Sequence, residues 1–175
     1  MDRVDKIMAY EGGDMSGTEV CEFFQEMIND GLVWQLQGSY GRAAHHLITS
    51  GGCTAAPRFS VQRHHARSLH YDFRLEHGGV LVSWAVPKGL PDKPKENRLG
   101  VHVADHELSY IDFDGEIPEG EYGAGRVELV DIGWFELIKW SDKHIKVTLH
   151  GKEFNGTWSL RNTKGKNWII RVSKP

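Results

Sequence analysis

The sequence has few cysteines and no long apolar run. Cys21 and Cys53 are too few for a disulfide framework and are not spaced as a paired zinc-knuckle motif, so reduced thiols are expected. No run reaches the about eighteen apolar residues of a membrane-spanning helix. Residues 1–17 lack the basic, apolar and small-residue sections of a signal peptide. These absences exclude a disulfide scaffold and predict a soluble cytoplasmic protein.

The chain also lacks a strong net charge. Its formal net charge is −3 over 175 residues, which by itself argues against a nucleic-acid partner. The charge is unevenly spread, because residues 1–57 contain 3 Lys and Arg against 8 Asp and Glu. Residues 58–175 contain 18 against 16, a net charge of +2. The second segment can therefore contain a local basic groove.

Residues 1–57 are predicted to form a small helical appendage and a linker. Ser16 and Glu19 have capping-box spacing, and the apolar residues that follow recur at intervals of three and four. This pattern predicts a helix that ends near Gly31. A second helix is expected over about 40–50, with a glycine pair as its stop.

Residues 58–175 are predicted to form a mainly β domain, a small closed or partly open β-barrel with flanking loops and short helices. Over 69–76, apolar and polar residues alternate, which is typical of a half-buried strand. Many short strands at such spacing favour a barrel or a sandwich. The segments 87–97 and 112–125 are expected to be long loops. Further strands are predicted at 79–86, 99–103, 126–131, 134–139, 144–150, 157–161 and 168–172.

The polar face of the strand over 69–76 carries residues suited to a metal and an anion. His70 and Asp72 are two positions apart, so both side chains leave the same face and can reach one ion. His64, just upstream, completes a set that suits Mn²⁺, Fe²⁺ or Zn²⁺ better than Ca²⁺. Arg74 continues this face, and its guanidinium can bind two oxygens of a phosphate. The pattern predicts a divalent-metal site for cleaving phosphate esters.

Two other interpretations of these residues stay open. A His-x-Asp pair on an edge strand is often only a hydrogen-bonded surface pair. With a distal histidine such as His150, the pair also imitates the facial triad of a β-barrel iron oxygenase, although no Arg-x-Ser for an oxo-acid cosubstrate is well placed. His106 and Lys88 are further candidates, because a histidine can protonate a leaving oxygen and a lysine supplies a point charge.

Several ordered motifs resemble a known family. They are VQRHHARSLHYDFRLE at 61–76, SWAVPKG at 83–89, Asp105-His106 followed by Tyr110, and IPEGEYGAG at 117–125. Together they closely resemble the 3′-phosphoesterase domain of bacterial DNA ligase D and its stand-alone archaeal and bacterial relatives. The likeness runs from about residue 58 to residue 175.

The resemblance implies a Mn²⁺-dependent enzyme on a β-barrel scaffold, with Co²⁺ or Zn²⁺ as other metals that fit. Such an enzyme trims 3′ ends during double-strand-break repair by non-homologous end joining. It removes a 3′-terminal ribonucleoside and then the remaining 3′-phosphate, and leaves a 3′-OH. The implied partners are DNA or RNA/DNA 3′ ends in a primer–template, and a separate ligase, polymerase or end-binding repair protein. The implied location is the nucleoid of a prokaryotic cytoplasm.

The resemblance also implies roles for single residues. It gives three metal ligands, two residues that hold the scissile phosphate, and three more that line the pocket. The first five would be catalytic. The metal ligands would be His64, His70 and Asp72. The scissile phosphate would be held by Arg74 and His106, and the pocket would be lined by Lys88, Arg98 and Tyr110.

This chain departs from the family pattern in two places. Members often have glutamate in the place of Ala104, two positions before His106, and residues 36–57 do not match the polar arm that precedes the first ligand histidine. These departures bear on removal of the terminal ribonucleoside, because residues behind the ligands orient them. A non-catalytic module that binds DNA ends or protein on the same barrel is therefore a third hypothesis.

Overall fold

The computed structural model describes residues 1–29 and 31–174. These residues form two compact units, Met1–Ala56 and Pro57–Pro175. None of the helices formed by the described residues has the length and apolarity that crossing a membrane requires. The first unit contains α1 (Arg3–Gly12), α2 (Gly17–Asn29) and α3 (Gly38–Thr49), and a short 3-10 helix at Leu32–Trp34.

The predicted helical N-terminal region is confirmed. α2 begins with the expected reciprocal cap, because the backbone N–H of Ser16 donates to Glu19 Oε2 (2.8 Å) and that of Glu19 donates to Ser16 Oγ (3.3 Å). α1 was not predicted, and none of its side chains is buried. The core of this unit consists of Phe23, Phe24, Met27, Ile28, Val33, Tyr40, Ala44 and Cys53.

Among the described residues, the second unit is a closed antiparallel barrel of eight strands. This confirms the predicted β-barrel and shows that it is closed and not partly open. The strand order is β1-β2-β3-β4-β9-β8-β7-β6, and β6 pairs with β1 to close the ring, while β5 adds to β6. A second 3-10 helix is Leu108–Tyr110. The strands are β1 Arg58–His65, β2 Leu69–His77, β3 Val80–Val86, β4 Arg98–His106, β5 Gly115–Ile117, β6 Gly125–Trp140, β7 His144–His150, β8 Asn155–Lys164 and β9 Asn167–Lys174.

Alternation along β1 and β2 separates the barrel core from the polar residues. Phe59 on β1 and Phe73 on β2 are fully buried in the core. Gln62 and Asp72 are paired across the same two strands and belong to the opposite parity, so they lie on the outer face of the barrel wall. The other fully buried core residues are Val61, Leu75, Trp84, Val86, Val147, Leu149, Leu160 and Ile170.

The strands predicted at 126–131 and 134–139 form one continuous strand, β6, which corrects the expected break. Trp134, the residue after Gly133, lies opposite both Arg58 of β1 and His150 of β7; pairing with β1 ends there and pairing with β7 begins. A Cβ on Gly133 would lie 2.2 Å from the carbonyl oxygen of His150. Glycine is therefore required by this close approach and does not mark a turn. The loop predicted at 112–125 also contains a strand, β5.

A buried carboxylate fixes the connection between β7 and β8. Asp131, only 4% exposed, accepts backbone hydrogen bonds from four residues. The donors are Ile132 (2.9 Å), Lys152 (3.1 Å), Glu153 (3.0 Å) and Phe154 (2.9 Å). Removing the carboxylate would leave four part-buried backbone N–H groups without this acceptor, which is more costly than losing an exposed ion pair.

Asp131→Ala is expected to lower the free energy of unfolding of the barrel by about 3 kcal/mol. The measurement is urea unfolding followed by tryptophan fluorescence, which reports on the barrel because five of the six tryptophans lie in it. Asp142→Ala, in the exposed turn between β6 and β7, is the matched control and should change stability by less than about 0.5 kcal/mol. Equal midpoints and slopes for the two variants would contradict the role of Asp131.

Candidate active site

The outer face of β1 and β2, with the loops beside it, surrounds a cavity of about 600 Å³. Two loops close its sides: the hairpin between β1 and β2, and the segment 117–124 that leads into β6. Six of the residues singled out from the sequence line this cavity: His64, His70, Asp72, Arg74, His106 and Tyr110.

Three of these side chains can hold a metal ion together. His64 and His70 are direct partners across β1 and β2, and Asp72 is two positions along the same face. His70 Nε2 lies 3.2 Å from Asp72 Oδ1, and His64 Nδ1 lies 3.4 Å from Asp72 Oδ2. One ligand atom from each of the three lies within 4.8 Å of the others, an arrangement found at this one place in the described part of the chain.

Backbone carbonyls orient both histidines. His64 Nε2 is 2.5 Å from the carbonyl oxygen of Gly123, and His70 Nδ1 is 3.1 Å from that of Ser68. A carbonyl only accepts, so these two nitrogens carry hydrogens, and the opposite nitrogen of each ring faces Asp72. Such carbonyl contacts usually hold histidine ligands in place. Two nitrogens and one carboxylate fit a divalent transition metal and do not select one metal.

The protonation states of this group follow from its contacts. Burial raises the pKa of Asp72, but the hydrogen bond from His70 and the charge of Arg74 outweigh it and hold that pKa below its usual value. The hydrogen bond to Asp72 raises the pKa of His70, against the effect of burial. Without a metal, His70 therefore tends to keep a second proton, which a divalent cation would replace.

Arg74 is 2% exposed and its guanidinium is fixed by neighbours on several sides. Its Nε donates to Gln62 Oε1 (2.6 Å), and its Nη1 donates to Ser83 Oγ (2.8 Å). Its Nη2 lies 3.5 Å from Asp72 Oδ2, and its Cζ lies 4.9 Å from the centre of the Tyr110 ring. Burial lowers the pKa of Arg74, yet a guanidinium stays charged in proteins. The site therefore contains a permanent, oriented cation beside the metal ligands.

His106 extends this cationic group across to β4. Its Nδ1 lies 3.1 Å from Nη1 of Arg74 and 3.0 Å from the carbonyl oxygen of Ala104. Burial and the charge of Arg74 lower the pKa of His106, so the ring is neutral near pH 7. Nδ1 thus faces both a donor, Arg74, and an acceptor, the Ala104 carbonyl, and these contacts alone do not fix which ring nitrogen carries the hydrogen. In the tautomer in which Nδ1 accepts from Arg74, Nε2 carries the hydrogen and can donate a hydrogen bond to an anion.

The structure does not bring every candidate to this cavity. Lys88 is exposed in the turn after β3, and Arg98 pairs with Glu96 at the start of β4; neither lines the cavity. Their predicted contacts with substrate remain predictions. His150, the third ligand of the iron-oxygenase alternative, lies on β7 and pairs with Glu136 at 2.9 Å. His64 occupies the position beside His70 and Asp72 that the alternative gave to His150.

Sequence reasoning missed three residues that shape the site, namely Gln62, Ser83 and Gly123. Gln62 also donates through Nε2 to the carbonyl oxygens of Tyr110 (3.2 Å) and Phe113 (3.0 Å), so it ties Arg74 to the loop after β4. A signal for Gln62 was present, because it is two positions before His64 and shares its face of a strand. The segment at 117–125 was expected to be part of a long loop and one of the family motifs, without a role for its single residues, and five of its nine residues line the cavity.

Comparison with known proteins shows the family of the segment that contains this site. The sequence model of the family described as DNA Ligase D 3′-phosphoesterase domain matches residues 62–162, more than half of the chain. The chain belongs to this family. The match confirms the resemblance seen in the motifs, and it supports a hydrolase of phosphate esters. A second model, for a domain of unknown function (DUF7417), matches residues 1–64.

Relatives of the phosphoesterase domain occur within much longer proteins. The multifunctional non-homologous end joining protein LigD of Mycolicibacterium smegmatis is 51% identical over 128 residues, which covers 67% of this chain and 17% of that protein. LigD of Mycobacterium bovis is 50% identical over 131 residues, covering 73% and 17%. LigD of Pseudomonas aeruginosa is 45% identical over 130 residues, covering 69% and 16%. The chain thus corresponds to about a sixth of the length of these relatives.

Proposed function

We propose that this chain is a divalent-metal-dependent phosphoesterase that processes 3′ ends of DNA or of RNA joined to DNA, and leaves a 3′-OH during non-homologous end joining. The observation that supports it most is one cavity in which His64, His70 and Asp72 lie beside a buried guanidinium that is bonded to His106. Both 3′-phosphate removal and 3′-ribonucleoside removal are included, with Mn²⁺ as the metal.

The roles in this proposal follow from the contacts. A bound divalent cation, held by His64 Nδ1, His70 Nε2 and an oxygen of Asp72, would supply Lewis-acid stabilisation of a phosphate oxygen. Arg74 carries the second positive charge. Its Nη2 lies 3.5 Å from Asp72 Oδ2, a long contact that leaves this nitrogen able to donate to a substrate oxygen. His106, in the tautomer in which Nδ1 accepts from Arg74, would donate through Nε2 to the charge that develops on phosphate. Tyr110, which flanks Arg74, closes the pocket on that side.

A second candidate, a module that binds 3′ ends without cleaving them, is favoured by one observation. Ala104 lines the cavity wall in the position where family members often have glutamate. The missing carboxylate leaves His106 with a backbone carbonyl in place of an acidic partner. We expect this change to affect ribonucleoside removal more than phosphate removal, because the metal ligands and Arg74 are all present.

The test is a reaction with Mn²⁺ on labelled primer–template duplexes that carry either a 3′-phosphate or one 3′-terminal ribonucleotide. We expect conversion of the 3′-phosphate to 3′-OH, and slower shortening of the ribonucleotide-ended strand. Binding of both duplexes without any product would instead establish the non-catalytic module. Turnover of an oxo-acid with Fe²⁺ and no phosphate release would establish the oxygenase and refute the proposal.

A further inference from the structure

One aromatic side chain at the mouth of the cavity has no structural role in the barrel. Tyr122 is 98% exposed, although it lines the same cavity as the metal ligands. Neither its ring nor its hydroxyl contacts a partner among residues 1–29 and 31–174. Single exposed apolar side chains are ordinary on a protein surface, but a ring that lines a cavity can contact whatever enters that cavity.

The backbone that presents Tyr122 is tightly held. Two successive turns form it, with the N–H of Glu121 donating to the carbonyl of Pro118 and that of Ala124 donating to the carbonyl of Glu121, both at 3.2 Å. Gly123, at φ +78°, takes the position of the second turn that favours glycine. Its carbonyl also accepts the hydrogen bond from His64. Tyr122 is therefore next to Gly123, whose carbonyl binds the proposed metal ligand His64. This contact fixes the distance between the backbone of Tyr122 and the proposed metal site.

The end of this loop cannot shift along β1. Gly125, at φ +134°, begins β6, and a Cβ there would lie 1.9 Å from the carbonyl oxygen of His65. The backbone of the loop is thus packed directly against the strand that carries His64. Because the backbone is already fixed, binding to the ring has only the rotamer entropy of one side chain with two rotatable bonds to overcome.

The charges around Tyr122 indicate which part of a nucleic acid it contacts. Glu119 and Glu121, which both precede it in the loop, are exposed carboxylates that repel phosphates. Arg67, in the hairpin between β1 and β2, also lines the cavity and is an exposed cation that attracts them. A nucleic-acid strand that enters the cavity would therefore lie with its phosphate backbone toward Arg67 and its bases toward Tyr122. Bases stack on aromatic rings without regard to sequence, because every base has a flat π-face.

We propose that Tyr122 is a stacking platform for the terminal base of the 3′ end that enters the cavity, a specificity element for nucleic acid over small phosphate esters. The inference rests on the proposed function for the position of the 3′ end. It makes Tyr122 a binding residue and gives it no part in bond cleavage.

Steady-state kinetics on a 3′-phosphorylated duplex test the platform. Tyr122→Ala should raise KM about tenfold and change kcat less than about twofold, whereas Tyr122→Phe, which keeps the ring, should behave as the wild type. A duplex whose terminal nucleotide is abasic should show the raised KM with the wild type and no further rise with Tyr122→Ala. A tenfold effect of Tyr122→Ala that persists on the abasic duplex would overturn the proposal.

A fluorescence measurement separates this inference from the proposed function. The probe is a duplex with 2-aminopurine as the terminal base and a 3′-OH, which has no phosphate to release. Wild type and Tyr122→Phe should quench it on binding, and Tyr122→Ala should not. Ile138→Ala on β6, an exposed apolar residue (53%) outside the cavity, is the control and should quench normally. Equal quenching by Tyr122→Ala would refute the platform, whereas normal quenching by an inactive wild type would refute only the phosphoesterase proposal.

Discussion

Asp72→Asn should reduce Mn²⁺-dependent removal of a 3′-phosphate by at least about a thousandfold, which corresponds to roughly 4 kcal/mol of lost transition-state stabilisation. The substitution keeps the size of the side chain and one oxygen, and removes the negative charge that a divalent cation requires. It also removes the ionised partner of Arg74 and of both histidines. His70→Ala should have an effect of the same order.

A matched control exists on the same strand. Glu76→Gln makes the same change from carboxylate to amide four positions further along β2, where Glu76 pairs with Arg58 at 3.1 Å outside the cavity. Its activity should stay within about twofold of the wild type, because an exposed ion pair is worth little. Circular dichroism of both variants establishes that they are folded. Full Mn²⁺-dependent activity in Asp72→Asn would refute its assignment as a metal ligand.

Arg74→Lys is expected to lower kcat by about a hundredfold or more, the usual effect of removing one hydrogen-bond donor from a site of developing charge. Lysine keeps the positive charge, so this variant tests the shape of the guanidinium. A single ammonium cannot reach Gln62, Ser83 and His106 together and still contact a phosphate oxygen. Affinity for Mn²⁺ should change little, because Arg74 is not a ligand.

The control for this variant is Arg58→Lys at the start of β1, an exposed arginine outside the cavity. It should leave both kcat and KM near the values of the wild type. If Arg74→Lys also leaves kcat unchanged while the protein is folded, the guanidinium does not hold the reacting phosphate. A rise in KM with unchanged kcat would assign Arg74 to substrate binding in the ground state alone.

The fold was predicted well wherever sequence alternation was regular. The strand over 69–76 was found because apolar and polar residues alternate without a break, and β2 was observed at Leu69–His77. β1 was not predicted as a strand, because only Phe59 and Val61 provide an apolar alternation before Arg63 interrupts it. α1 has no fully buried residue, and only Ile7 and Tyr10 pack against the core of its unit, while Asp2 and Asp5 form a capping box at its start.

The site was predictable to the extent that its residues are close in sequence. The positions of His70, Asp72 and Arg74 on one face follow from strand geometry alone. The approach of His106 does not, because β4 has one extra residue opposite β3, between the pairs Leu81 with His106 and Ser83 with Val103. A bulge of this kind changes the parity of a strand, and sequence spacing does not reveal it.

Sequence spacing does not reveal the contact of Arg74 with Gln62 either, because that contact depends on how β1 pairs with β2. His106 was a candidate from its chemistry alone, the motif resemblance added a role on the scissile phosphate, and the structure places that residue against Arg74. For Lys88 and Arg98 the resemblance gave roles that the cavity does not reflect. Of the eight residues that motif similarity named, six therefore line one cavity and two do not.

The most direct test of the account is phosphate release from a 3′-phosphorylated duplex by protein that has been stripped with EDTA and then titrated with Mn²⁺. We predict no release before titration, a rise that saturates near one equivalent of tightly bound Mn²⁺, and no rise in Asp72→Asn. Release at the full rate in the presence of EDTA, or an equal response to Mn²⁺ in Asp72→Asn, would contradict a metal-dependent phosphoesterase built on His64, His70 and Asp72.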